Sequence, residues 1–248
     1  MSADPIFPMQ QSRSAPAEPL TPETLQPRLA ELPTVFLQPI AAPSILGIFA
    51  LSAATFIVGA NLAGWFGTAA SGAYIAPYAA AFGGLAELLA GMWAFKARDG
   101  LATAVHGMWG SFWLAYGVLF FLVAAGDLIA PAAKTPALGF WFITLGVITW
   151  LCTWVSLGEY KSLAIVLGLL ALGSCFLAVA YLTGLGGMRV AGGWLLLASG
   201  IVGWYTAAAI MAQAMYNRER WPLGAQPREK AAPNLVFGIG EPGVKRGQ

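Results

Sequence analysis

Trp109-Gly110-Ser111-Phe112-Trp113-Leu114 lies in the middle of an apolar run covering residues 101–125. Two small residues stand beside two tryptophans and a phenylalanine, near the centre of a segment long enough to cross a bilayer. Such a helix lets neighbours approach closely while its rings fill the space between them. The stretch reads as the wall of a pathway, with five further helices arranged around it and a polar tail at each end.

Outward from this run the same character recurs. The chain of 248 residues is 58% apolar and only 10% charged, against about 25% charged in a soluble domain. Windows such as 137–157 and 162–188 contain no charge at all. A spanning helix needs about 20 apolar residues at a rise of 1.5 Å to cross about 30 Å of hydrocarbon. Six windows satisfy this, at about 45–66, 74–95, 101–126, 137–158, 162–184 and 191–214. The sequence therefore predicts an all-α, polytopic membrane protein with six transmembrane helices in a single bundle. The bundle is expected over residues 44–216, between a Pro-rich tail, 1–43, and a second polar tail, 217–248.

The first tail holds nine of the sixteen prolines and too little apolar surface to fold alone. It lacks the continuous apolar core of a signal peptide and is expected to be a retained, disordered tail, with residues 29–37 lying on the membrane or packing under the bundle. If the amino terminus is cytoplasmic, that side carries eleven Lys and Arg residues and the far side only Lys134 and Arg189. The positive-inside rule then puts both termini in the cytoplasm of a bacterial inner or plasma membrane.

Several function classes find no support. No paired carboxylates, metalloprotease motif, nucleophile elbow or phosphate loop falls on a span, so an enzyme is not expected. Cys152 and Cys175 sit in apolar windows and read as small core hydrophobes; with no Cys/His cluster, neither a metal nor another cofactor is expected. No nucleic-acid partner is expected; the lipid bilayer is.

Glycines show how the helices meet. Gly84 and Gly91, Gly110 and Gly117, Gly139 and Gly146, and Gly193 and Gly200 are each seven apart, two turns along one face. In lipid, helices associate through close packing rather than hydrophobic drive, so these are expected packing stripes.

Few side chains inside the spans can carry chemistry. Glu87 is the one acid well within a span. An intramembrane carboxylate is costly, and two readings stand: a proton or substrate site facing the interior, or a neutral carboxyl hydrogen-bonded to a neighbouring helix. His106, within a turn of Trp109, is either a proton relay or a structural hydrogen-bonding residue. Phe49, Trp109, Phe112, Trp113, Trp150, Trp154, Trp204 and Tyr205 also fall inside spans, where most must pack and a few can build a hydrophobic constriction. Ser44, Ser52, Thr55 and Ser111 offer hydroxyls to a passing substrate or to their own helix backbone.

Gly83-Gly84-Leu85-Ala86-Glu87-Leu88-Leu89-Ala90-Gly91, followed by Trp109-Gly110-Ser111-Phe112-Trp113, resembles the acetate uptake transporter family, the succinate–acetate/proton symporters. Gly193-Trp194 through Gly200, then Tyr205, Arg218 and Pro222-Leu223-Gly224, resembles that family's last helix and its exit; together the likeness covers residues 40–224. The resemblance implies a six-helix fold assembled as a homo-hexamer, each subunit with its own pathway narrowed by Phe49, Trp109 in place of the usual Tyr, and Leu172. The chain departs from the pattern at the pore mouth, where Ile40-Ala41-Ala42-Pro43 lacks the Asn. It departs again at Glu87, which replaces Gln, and at Ile210, where an acid is common.

The function so implied is a transporter or channel for small monocarboxylates such as acetate, with succinate as a further substrate, coupled to a proton. Glu87, His106, Ser111, Ser44 and Thr55 are its candidate substrate or proton contacts. A bare carboxylate is expensive to move into a low-dielectric constriction. With a carboxyl pKa near 4.3, roughly 0.2% is neutral at pH 7, so crossing with a proton removes most of the barrier. The alternatives are a relative that conducts another small solute such as ammonia, and a structural or regulatory membrane protein whose pathway Trp109 plugs.

Overall fold

A computed structural model of the chain describes residues 40–68 and 70–225. Most of both expected tails, including 29–37, lies outside the described residues. Six helices follow in order: α1 Pro43–Leu62, α2 Ser71–Ala97, α3 Gly100–Ala125, α4 Pro136–Ser156, α5 Lys161–Thr183 and α6 Gly186–Tyr216. Each is long and apolar enough to span a membrane. Their limits fall close to the expected ones, except that α6 begins at Gly186 rather than near 191. Gly186, Gly187 and Arg189 read as a loop, yet they form the first turn of a 31-residue helix, about 46 Å long.

Local chemistry sets the ends. Pro43 and Pro136 open α1 and α4, where a missing N–H costs nothing. Asp99 caps α3, its Oδ1 accepting from the Ala102 amide at 2.9 Å, and Gly126 closes the same helix at φ 87°, a conformation that suits glycine. Tyr160 gives α5 no side-chain cap. Instead the carbonyls of Gly224 and Leu223 accept from the Lys161 and Ser162 amides at 3.2 and 3.1 Å. Thus the stretch after α6 folds back, buries Leu223 and satisfies two amides at the end of another helix.

Within α2 the backbone widens. Pro77 lacks the amide its turn needs, and residues Ala79–Ala86 run as a π-helix before the regular winding resumes at Glu87. Gly83 lies in this segment against the Trp113 ring, and a Cβ there would stand 2.5 Å from Trp113 Cγ. The widened turn with its bare glycine lets α2 wrap a tryptophan of α3.

The helices form a closed ring in the order α1, α6, α5, α4, α3, α2 and back to α1, with the α3–α4 seam the most thinly packed. The glycine stripes explain the tight seams. A Cβ on Gly110 would meet the Leu88 amide nitrogen at 2.6 Å, one on Gly91 the Gly107 nitrogen at 2.8 Å, and one on Gly193 the Ala63 nitrogen at 2.5 Å. These are backbone against backbone, so α2 with α3 and α6 with α1 approach as closely as their chains permit. Gly146 is different: its nearest neighbour, Cys175 Sγ, would lie 3.7 Å away, and the stripe on α4 is only half used.

Cys152 is buried as expected, but Cys175 is exposed. It shares the outward stripe of α5 with Ile165, Leu172 and Val179. Because α5 is apolar all round, its sequence does not say which side faces inward.

Candidate functional site

The inward face of α3 carries His106, Trp109, Trp113 and Tyr116 at intervals of three, four and three, the spacing that stacks side chains along one side of a helix. Together they mark a line from one end of the bundle toward the other.

At the Lys96–Arg98 end, His106 and Glu87 meet. His106 Nδ1 lies 3.2 Å from Glu87 Oε1, with the two residues 2% and 0% exposed. The π-helix ends one residue before the acid. On the other side Gly47 of α1 lies flat on the imidazole, so tightly that any side chain there would collide with the ring. His106 is six residues into α3, roughly 9 Å from its end. A 3.2 Å contact between an imidazole nitrogen and a carboxyl oxygen holds one proton between them, since one must donate and the other accept. Glu87 Oε2 has no hydrogen-bond partner among the described residues.

One turn further, Trp109 is 1% exposed and donates its indole N–H to Thr149 Oγ1 of α4 at 3.0 Å. Thr149 in turn donates to the Leu145 carbonyl at 2.6 Å. This bond crosses the thin α3–α4 seam. Above it, Phe112 gathers rings from both sides, with centroids at 5.2 Å to Trp109, 4.9 Å to Trp113, 5.0 Å to Trp141 and 5.6 Å to Phe142. Most of these contacts are edge-to-face, the geometry aromatic pairs prefer. Rings therefore fill the seam where small residues are missing.

The ring cluster is the floor of a cavity of about 550 Å³. Phe112, Trp113 and Phe142 lie deepest along their helices. Tyr116, Tyr181 and Leu177 form the walls, and the segments 130–133 and 184–186 surround the mouth beside Arg189. The order along the bundle is thus mouth, cavity, aromatic floor, the Trp109–Thr149 bond, and the Glu87–His106 pair.

Of the expected constriction residues, Trp109 sits in this line and Phe49 is partly buried against the core. Leu172 does not join them. It is 38% exposed on the outward stripe of α5, five positions and about 140° from Leu177, which lines the cavity. The inward leucines of α5 are Leu163, Leu167, Leu170 and Leu177. Among the candidate contacts, Glu87 and His106 come together. Thr55 is buried with a hydroxyl that finds no partner among the described residues, and Ser44 is half-buried in the first turn of α1. Ser111 is exposed and bonds its own Gly107 carbonyl at 2.7 Å. Thr149, Tyr116, Phe142 and Tyr181 were not anticipated. The spacing of Tyr116 from Trp109 and Trp113 was a signal for one of them; the others depend on which faces of α4 and α5 turn inward.

Comparison with known proteins bears on this arrangement. The sequence model of the GPR1/FUN34/yaaH family matches residues 22–220, about four fifths of the chain. The chain belongs to this family. Within it, an Aspergillus clavatus protein named acetate transporter protein patA is 29% identical over 205 residues, 77% of this chain and 81% of its own length. Ammonia transport outward protein 2 of Saccharomyces cerevisiae is 30% identical over 197 residues, 75% of this chain and 66% of its own length. Among solved structures, the bacterial acetate channel SatP superposes with a TM-score of 0.69 at 24% identity, covering 75% of this chain and all of SatP. That likeness establishes the six-helix fold. With family membership and six spanning helices, the chain is an integral membrane protein.

Proposed function

We propose that the protein passes small monocarboxylates such as acetate across the membrane, each with a proton, along the line from the Arg189 cavity through the aromatic floor to Glu87 and His106. The observation that carries this reading is the Glu87–His106 pair, 3.2 Å apart and closed off from solvent, one turn from the narrow point at Trp109. An ionisable pair held inside a bilayer at such cost is a functional site by default. A carboxylate reaching the aromatic floor is poorly stabilised unless it is protonated, and the pair provides the one acid and the one histidine on the inward faces of the spans. Family membership and the acetate transporter relative support the substrate class. By the distribution of Lys and Arg, the pair lies toward the cytoplasm and the cavity toward the outside.

The experiment is uptake of labelled acetate by proteoliposomes, with protein-free vesicles as the baseline for acetic acid crossing lipid. Uptake above baseline that rises with an inward proton gradient supports the reading. Uptake unaffected by the gradient removes the proton coupling, and no uptake above baseline removes the substrate.

A second reading is carried by the dry aromatic floor, which suits a small neutral molecule as well as a protonated acid, and by the yeast relative named for outward ammonia transport. Here acetate fails to move while ammonium chloride collapses an internal acid gradient faster in proteoliposomes than in protein-free vesicles.

A further inference from the structure

We propose that the cavity between Arg189 and the aromatic floor is an anion-binding vestibule, a site that collects small carboxylates before the constriction. Its substrate class rests on the reading above; its preference for anions does not. Arg189 is the one charged side chain on the cavity wall among the described residues, and it makes no hydrogen bond or ion pair with them. Around the mouth, the connecting segments bring Lys134 and a single acid, Asp127, so positive charge prevails there.

Deeper in, the polar groups divide into two sets. Asn61 and Ser71 are committed locally, Asn61 Nδ2 donating to the Phe66 carbonyl at 3.0 Å and Ser71 Oγ accepting from the Thr68 amide at 2.8 Å. Tyr181 and Tyr116 line the wall, and neither phenol hydroxyl bonds a described residue. Trp113 lines it too, fully buried, with an indole N–H that finds no partner among the described residues. A buried N–H left unmade is costly. Apart from the Asn61 amide oxygen and the Thr68 hydroxyl, the side-chain groups left over are a guanidinium and an indole, which only donate, and two phenols that can donate. A carboxylate, which only accepts, is their complement. The rings behind them form an apolar wall for a short alkyl group, as ligand pockets generally do. A sphere of about 550 Å³ is roughly 10 Å across, room for an anion of a few carbons with its water.

The test reads local charge through a thiol. In a background with Cys152→Ala and Cys175→Ala, the cavity-lining Ala73→Cys is labelled by anionic, cationic and neutral methanethiosulfonate reagents in proteoliposomes. The expected ratio of anionic to cationic rates falls about threefold or more on adding Arg189→Gln, the loss of one unit charge within roughly 10 Å. Arg189→Lys keeps the ratio, and an unchanged neutral rate shows that the cavity is intact. In parallel, Arg189→Gln raises the KM for acetate with little change in maximal rate, and salt raises the wild-type KM. A ratio that ignores Arg189 overturns the vestibule even where acetate uptake is normal. An Arg189-dependent ratio in a protein that carries no acetate keeps the vestibule and removes the transport reading.

Discussion

Adding one methyl group at Gly110 tests whether close backbone packing of α2 on α3 sets the Glu87–His106 pair. The new Cβ would stand 2.6 Å from the Leu88 nitrogen and 2.9 Å from its Cα. Ordinary contact needs about 3.5 Å, and these are backbone atoms, so α2 must withdraw by roughly 1 Å. Overpacking of this kind costs about 1–3 kcal/mol. Leu88 follows Glu87 directly, and Gly110 lies one turn from His106, so the withdrawal acts on the 3.2 Å pair itself and pushes it beyond hydrogen-bonding range. Gly146→Ala is the matched control: its Cβ finds its nearest neighbour at 3.7 Å, and alanine gains about 0.5–1 kcal/mol over glycine in a helix. The propensity gain is common to both variants, so thermal unfolding in detergent should separate them by about 1–3 kcal/mol. Gly110→Ala should also lose gradient-driven acetate uptake, which Gly146→Ala keeps. Equal stability of the two variants, or normal coupling in Gly110→Ala, refutes the reasoning.

Thr149→Val removes the acceptor for the Trp109 indole at 3.0 Å; it should destabilise the protein by about 1–2 kcal/mol. A double-mutant cycle with Trp109→Phe should give a coupling of about 0.6–1.7 kcal/mol, and zero coupling denies the bond. Leu170→Ala should cost about 2–5 kcal/mol because Leu170 is fully buried, whereas Leu172→Ala on the outward stripe should cost less than about 1 kcal/mol; equal costs would reverse the inward register of α5. Leu223→Ala should cost about 2–4 kcal/mol and speed exchange of the Lys161 and Ser162 amides, which Gly224 and Leu223 now hold. Unchanged exchange would show that the returning segment is not what protects that helix end.

Much of the fold was legible because the membrane imposes length and composition on each helix. Six charge-poor windows marked the spans, and the glycine spacings marked close-packing faces without saying which helices they meet; the structure pairs them at the α2–α3 and α1–α6 seams. Legibility failed where a helix has no polar side. On α5, Leu172 and Leu170 differ by 200° around the axis but not in hydropathy, and only packing against α4 and α6 decides which of them faces inward. The same ambiguity hid Tyr181 and Thr149. Glu87 and His106 stood out individually because charge is rare in a span, but nineteen residues of sequence separate them. Their pairing depends on the helix register that the close approach at Gly91 and Gly110 imposes. The start of α6 was misjudged because glycines and an arginine resemble a loop, although beyond the bilayer core a helix can hold them in water.

The most direct test counts protons per acetate. Proteoliposomes holding a pH-sensitive dye receive labelled acetate at fixed membrane potential, and flux and internal acidification are recorded together, with the protein-free baseline subtracted. The account predicts stoichiometric acidification in the wild type, and in Glu87→Gln or His106→Phe an acetate flux that is lost or moves without its proton. Protein-mediated acetate flux with no accompanying acidification in the wild type, or unchanged coupling in both variants, would contradict it.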